Sequence, residues 1–284
     1  MAAEAQGDKK PKEAKSRKRK EVFIYGNYKN YYGYRIDRNV NEDPRLAIFK
    51  REWFEGKDCL DIGCNQGLIT VTIARKFLCR SIHGIDIDAD LIEAAYWHLR
   101  KMARLDNINR RTRVSEMPVL DSPSCLGKKS SQTSNGKTDT SKCGVFPDRQ
   151  GDLFKIVSFS CENFVESLHG CSIEKYDTVL CLSVTKWIHL NWGDDGLITL
   201  FTKIWKLLRP GGILLLEPQP WTSYKRNRVV SDTTKANYNI ILLHPEKFQE
   251  ILLDKVGFRT ADVITDNLSG TVTGFDRPII AFRK

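Results

Sequence analysis

The sequence has no apolar run near the roughly 18 residues that a membrane-spanning helix requires. Its first residues contain no apolar stretch of the kind that directs secretion, so neither a membrane nor a secreted protein is expected. Eight cysteines are present, yet none falls in the Cys-x-x-Cys spacing of a zinc or redox site. A chain of 284 residues buries enough core to fold without disulfides. The cysteines therefore read as reduced intracellular thiols, and no metal site is expected. Collagen-like periodicity, coiled-coil heptads and internal repeats are missing as well.

What is there is positive charge. Forty-five Lys/Arg against 35 Asp/Glu leave a net charge of +10. Residues 1–20 alone hold eight Lys/Arg and three Asp/Glu, and no aromatic or branched apolar residue. Such a segment cannot bury surface, so residues 1–21 are expected to form a disordered basic arm. Its Arg17-Lys18-Arg19-Lys20 run suits a nuclear address or a phosphate-binding arm, with a merely solubilising tail as the plain alternative. Aromatics begin abruptly near Val22, and residues 22–284 read as one domain. A second break at about 121–150 is mostly Ser, Thr, Gly and Lys between Ser122 and Lys142. It is expected to be a disordered insertion.

Between these breaks strand and helix signals alternate. Strands are expected over Asp58–Ile62, Ser81–Asp86, Phe154–Phe159, Asp177–Leu182 and Ile213–Leu216, with Thr260–Ile264 and Pro278–Phe282 as a closing pair. Helices are expected over Leu68–Phe77, Asp90–Met102, Leu197–Leu208 (capped by Asp194 or Asp195 and stopped by Pro210-Gly211-Gly212) and Pro245–Val256. This alternation implies an α/β, doubly wound, mostly parallel sheet with helices on both faces. Ligands of such sheets lie beyond the carboxyl ends of the strands, at the topological switch point.

There the first strand runs into Gly63-Cys64-Asn65-Gln66-Gly67, and Asp86 ends the second strand, placed to accept hydrogen bonds from a ribose diol. The turn departs from the Gly-x-Gly-x-x-Gly dinucleotide pattern, because Asn65 stands where a middle glycine is usual. Asp61 would repel a pyrophosphate and attract a cation. An adenosine ligand carrying an ammonium and a sulfonium, S-adenosylmethionine, fits better than a dinucleotide.

Leu60–Gly67, Ile85–Asp88 and Leu207–Gly212 resemble the motifs of class I S-adenosylmethionine-dependent methyltransferases. Three further segments are more specific: Tyr25–Tyr28 with Tyr31–Arg35, Leu182–Asp194, and Leu216–Trp221. They resemble the methylphosphate capping enzymes of the bicoid-interacting protein family, and the likeness covers residue 23 to the C-terminus apart from the insertion. The resemblance implies a Rossmann-like seven-stranded sheet and S-adenosylmethionine as cofactor, held by Tyr32, Arg45, Gly63, Cys64, Asn65, Asp86, Ile87, Asn163, Phe164 and Leu182. Phe164 stands where the family more often has tyrosine, which removes a hydroxyl and keeps an aromatic face for adenine. The implied substrate is RNA with a 5′ phosphate, a 7SK-like small nuclear RNA methylated on its γ-phosphate. A smaller branch of the family acts on 5′-monophosphate RNA. A nuclear location, ribonucleoprotein partners, a monomeric catalytic domain and no membrane partner are the accompanying expectations.

The residues suit that chemistry. A terminal phosphate oxygen is already anionic near neutral pH, so its methylation needs positioning clamps more than a base. Lys186, Arg35 and Tyr31 are the candidate catalytic group. Lys186 supplies a point charge, Arg35 a bidentate fork, and Tyr31 belongs to a cluster of five tyrosines over 25–34 that could stack an unpaired base. Some of those tyrosines are expected to be core. His189 is tempting as a base, but a hydrogen-bonded structural role is expected of it. Trp187, Trp192 and Trp221 could wall the site or pack the core. Lys225, Arg226 and Arg228, expected on a loop, could track an RNA backbone. The Asn/Asp-Pro-Pro-Tyr/Phe signature of many amide and adenine methyltransferases is missing. Two other readings stand beside RNA phosphate methylation: a protein or small-molecule methyltransferase on the same fold, and a non-catalytic RNA-binding scaffold that keeps the cofactor as a structural ligand.

Overall fold

Strong apolar runs bounded by polar turns set the centre of the sheet. The strands β1 (Asp58–Ile62), β2 (Ser81–Asp86), β3 (Val157–Cys161), β4 (Tyr176–Leu182), β5 (Leu208–Glu217), β6 (Thr260–Val263) and β7 (Ile280–Arg283) form one sheet in the order β3-β2-β1-β4-β5-β7-β6. The first five pair in parallel, and β7 runs antiparallel between β5 and β6. In this computed structural model the described residues are 23–29, 31, 42–115, 152–167, 173–265 and 277–284. The basic arm expected over 1–21 and the insertion expected at 121–150 lie outside them.

Side chains alternate across the central strands, as the period of two requires. Leu180, Leu182, Ile213 and Leu215 enter a core with α1 (Leu68–Phe77) and α2 (Ala89–Ser115) on one face. Val179, Cys181, Leu214 and Leu216 enter a second core on the other, against Leu197, Leu200, Phe201 and Ile204 of the long helix Thr185–Leu207. The chain order reverses direction at β1 and β4, which are adjacent. A ligand crevice is therefore required at their carboxyl ends. No helix among the described residues is long and apolar enough to cross a membrane.

Three local expectations need correction. The strand expected over Phe154–Phe159 starts only at Val157, because Leu153–Ile156 forms one helical turn (α3) whose cap, the Asp152 carboxylate, accepts the Phe154 N–H at 3.1 Å. The helix expected over Leu197–Leu208 begins at Thr185 instead. It is the long helix named above (α4), kinked at Gly193 (φ 64°), and Asp194 does not cap it but binds the backbone N–H groups of Leu242 and Leu243. Lys225 and Arg226 stand on a helix, α5 (Trp221–Asn227), rather than on a loop. The helix ends at Leu207, before Pro210–Gly212, which instead forms an irregularity inside β5 where the pairing shifts register.

Candidate active site

The crevice is built from five chain segments. The carboxyl ends of β1, β2, β3 and β4 contribute Asp61 to Asn65, Asp86 and Ile87, Glu162 to Phe164, and Leu182 to Val184; the N-terminal segment adds Tyr25, Gly26, Asn27 and Tyr31. Arg45, Trp187 and Trp192 complete the walls. The cleft holds about 890 Å3 of empty space, its open mouth included, within the range of small-molecule sites.

The β1 turn has its shape because Gly63 and Cys64 donate their N–H groups to the Ile85 carbonyl at 2.7 and 3.0 Å. Gly63 adopts φ +73°, and a Cβ there would lie 2.3 Å from Val184 Cγ2. Only glycine allows that approach between the β1 and β4 loops. Asn65, at φ 51°, also takes a left-handed position in the turn and donates its backbone N–H to Asp86 Oδ2 at 2.9 Å. The second oxygen, Oδ1, accepts the Asp88 N–H at 3.1 Å. Burial lifts the Asp86 carboxyl above its ordinary value, while these backbone donors pull it back. Burial also pushes the Cys64 thiol well up, so Cys64 is a packing residue and not a nucleophile.

Asp61, at the floor, accepts the Thr70 hydroxyl at 2.6 Å. Burial pushes its carboxyl from 3.8 to about 6, against the pull of Thr70 and Arg45. Arg45 is 2% exposed. Its Nε and Nη2 meet Asp43, and Nη1 donates to Glu217 Oε2 at 2.6 Å. Burial works against its charge, and the Glu217 and Asp43 carboxylates more than offset that cost, so its pKa stands above the ordinary arginine value. Asn163 accepts the Val165 N–H at 3.1 Å. The loop behind Phe164 is gathered by the Lys203 ammonium, which donates to the Phe164, Val165 and Ser167 carbonyls at 3.0, 2.8 and 2.5 Å.

Of the residues expected to hold the cofactor, Arg45, Gly63, Cys64, Asn65, Asp86, Ile87, Asn163, Phe164 and Leu182 line this cleft. Tyr32 lies outside the described residues, as does Arg35. Tyr31 lines the cleft and Lys186 does not. The Lys186 ammonium stands 4.2 Å over the Trp187 ring and donates to Ser223 Oγ at 3.1 Å and Asn227 Oδ1 at 2.8 Å on α5. Trp187 and Trp192 are wall residues, Trp192 stacking on Tyr25. Trp221 instead packs on Tyr238 and His244. His189 is fully buried, with Nε2 2.6 Å from Asp194 Oδ1 and Nδ1 3.3 Å from the Tyr224 hydroxyl. It is a structural histidine, as expected. Sequence reasoning gave no role to Asn27, Ser183 or Glu217. The Tyr25–Tyr28, Leu182–Asp194 and Leu216–Trp221 motifs were the only signal pointing at them.

The donors and acceptors fit S-adenosylmethionine. Asn65 Oδ1 and Asn27 Oδ1 are buried with no hydrogen-bond partner among the described residues, an arrangement that costs free energy until a donor arrives. Two carboxylates, Asp61 and Asp86, suit an ammonium and a ribose diol, and Ile87, Phe164 and Leu182 offer an apolar seat for a purine. Among the described residues lining the cleft, Arg45 is the one cation, and it suits a carboxylate.

Known proteins resemble this chain over most of its length. Residues 176–284 match the family described as Bicoid-interacting protein 3. The chain is 55% identical over 269 residues to a "Probable RNA methyltransferase" of Arabidopsis thaliana, covering 94% of this chain and 83% of that protein. It is 35% identical over 268 residues to the U6 snRNA methylphosphate capping enzyme Amus of Drosophila melanogaster, covering 92% and 75%. With the 7SK snRNA methylphosphate capping enzyme of Homo sapiens it shares 36% identity over 293 residues, which is 94% of this chain but 40% of that longer protein. With its switch-point cleft and its sheet order, the chain belongs to the Bicoid-interacting protein 3 family, on the class I S-adenosylmethionine-dependent methyltransferase fold.

Proposed function

We propose that this protein is an RNA 5′-phosphate methyltransferase, which moves a methyl group from S-adenosylmethionine onto an oxygen of the terminal phosphate. When bound, S-adenosylmethionine supplies an electrophilic methyl on its sulfonium. The chain's own residues hold and orient: Asp86 takes the ribose hydroxyls, Phe164 and Leu182 seat the base, and Asp61 and Arg45 meet the charged amino-acid end. Trp187 and Trp192 wall the cleft against water.

One observation carries the substrate class. No histidine or lysine lines the described cleft, and its carboxylates Asp61, Asp86 and Glu162 are engaged by Thr70, by the Asn65 and Asp88 N–H groups and by Ser160. His189, next to the lining residue Ile188, is locked between Asp194 and Tyr224. A nucleophile that needs deprotonation is thus poorly served, whereas a terminal phosphate arrives anionic. Cations stand behind the lining instead: Lys186 beside the wall residue Trp187 and bonded to α5, with Lys225, Arg226 and Arg228 on and after that helix. In this reading Lys186, Arg35 and Tyr31 receive the phosphate end of the RNA. The γ-phosphate of a 7SK- or U6-like small nuclear RNA is the preferred acceptor, in line with the relatives that span most of the chain. Action in the nucleus follows from that substrate and from the Arg17–Lys20 run. Retention within a ribonucleoprotein and a monomeric catalytic domain complete the reading.

Labelled methyl transfer to one RNA carrying a 5′-triphosphate, a 5′-monophosphate or a 5′-hydroxyl tests it. The triphosphate should be labelled best and the hydroxyl not at all. Equal labelling of all three would refute the substrate class, and preference for the monophosphate would move the protein to the other branch of the family.

A further inference from the structure

Glu217 ends β5 and is 1% exposed. It does not line the cleft, yet it touches two residues that do. Its Oε2 accepts Arg45 Nη1 at 2.6 Å and Ser183 Oγ at 2.8 Å, and its backbone carbonyl accepts the Ser183 N–H at 3.1 Å. Ser183 is a non-glycine residue held at φ 61°, a conformation that persists only where neighbours over-determine it. Arg277 adds a third strand to the knot, donating to Ser183 Oγ at 2.9 Å and standing 3.8 Å from Glu217 Oε1.

Asp43 also pairs with Arg45, but it is two residues away and caps the same short turn, Pro44–Ala47. It fixes Arg45 to its own segment and to nothing else. Glu217 lies 172 positions from Arg45 and belongs to the sheet, so it sets where the cleft's cation stands relative to the β1 and β4 loops. A charge buried this deeply is costly unless it is paired, and the pairing with Glu217 ties Arg45 to the end of β5.

We infer that Glu217 is a positioning residue for the cofactor's amino-acid end, aligning Arg45 and Ser183 as one wall against its carboxylate. This rests on the assignment of the cleft to S-adenosylmethionine and is independent of the RNA substrate. The adenosine end, held by Asp86, Asn163 and Phe164 on the other side of the cleft, lies outside its reach.

Calorimetric titration with two ligands separates the ends. S-adenosylhomocysteine carries the amino-acid portion, and 5′-methylthioadenosine lacks it. Glu217→Gln should weaken S-adenosylhomocysteine about tenfold and leave methylthioadenosine within about twofold, which a general loss of structure would not do. Should that variant fail to fold, Glu217→Asp keeps the buried charge and withdraws it from Arg45, and about a threefold selective loss is expected. Equal weakening of both ligands, or no change in either, would overturn the inference. Because no RNA enters the titration, failure of RNA methylation would count against the substrate reading alone.

Discussion

Neutralising Asp61 should make the protein more stable and worse at binding its cofactor, with a dependence on pH that identifies the cause. Burial lifts this carboxyl from 3.8 to about 6. A folded-state value above the unfolded one means that the folded protein holds the proton more tightly, so raising the pH through 6 costs stability. At about 1.4 kcal/mol per pH unit, the ionised form at neutral pH is disfavoured by up to about 3 kcal/mol. Asp61→Asn keeps an oxygen for the Thr70 hydroxyl and removes the charge. Its amide N–H atoms need acceptors in a buried site, which offsets part of the gain. A net stabilisation of about 1–2 kcal/mol is expected at pH 7.5 without ligand. The advantage over the wild type should shrink steadily as the pH falls from 6 and vanish near 4, where both chains are uncharged at this position. Binding should move the opposite way. Loss of a charged partner for the cofactor ammonium is worth roughly 1.5–3 kcal/mol, about 10- to 150-fold in S-adenosylhomocysteine affinity, and the wild type should itself bind more weakly below pH 6. Urea melts and calorimetry over pH 4–8 measure both. A stability difference that does not vary with pH, or unchanged affinity, would refute the assignment of Asp61 as a strained, ligand-facing carboxylate.

Asp86→Ala should weaken S-adenosylhomocysteine by about 10- to 150-fold, since the ribose hydroxyls lose a charged acceptor; calorimetry showing wild-type affinity would remove Asp86 from the site. Gly63→Ala places a methyl 2.3 Å from Val184 Cγ2 at φ +73°, and should lower both the melting temperature and cofactor affinity. Adding Val184→Ala should recover only part of the loss, because the backbone strain of about 1–2 kcal/mol stays; full recovery would mean the clash alone matters. Lys186→Ala should leave S-adenosylhomocysteine affinity within a few-fold while methyl transfer to triphosphate RNA collapses. His189→Gln should do the reverse, lowering the melting temperature and sparing turnover of the folded fraction. A histidine variant that folds normally and loses turnover would restore His189 as a base.

The centre of the fold was legible because local and global signals agree there. β1, α1 and β2 have their expected bounds, each an apolar run closed by a Gly or polar turn. Leu153–Val157 misleads because Phe154, Ile156 and the run that follows read as a strand in isolation, while the Asp152 cap winds the first turn into a helix. Thr185–Trp192 carries two tryptophans, a lysine and a histidine in a row, with no clear period. Its helical form depends on packing against α5 and α6 (Asp232–Ile240). The turn residues Gly63 to Asn65 and the strand-end Asp86 announced themselves by type and spacing. Glu217 could not, because its role exists only once residues 45, 183 and 277 meet at the end of β5.

The most direct test of RNA phosphate methylation is the identity of the product. A triphosphate-ended RNA is incubated with the protein and S-adenosylmethionine, digested to nucleotides, and its 5′-terminal nucleotide analysed by mass spectrometry before and after phosphatase. The expected product is a nucleoside triphosphate bearing one methyl on its outermost phosphate, which blocks removal of that phosphate by phosphatase. Methyl found on a base or a ribose hydroxyl, with the 5′ end still fully sensitive to phosphatase, would contradict it.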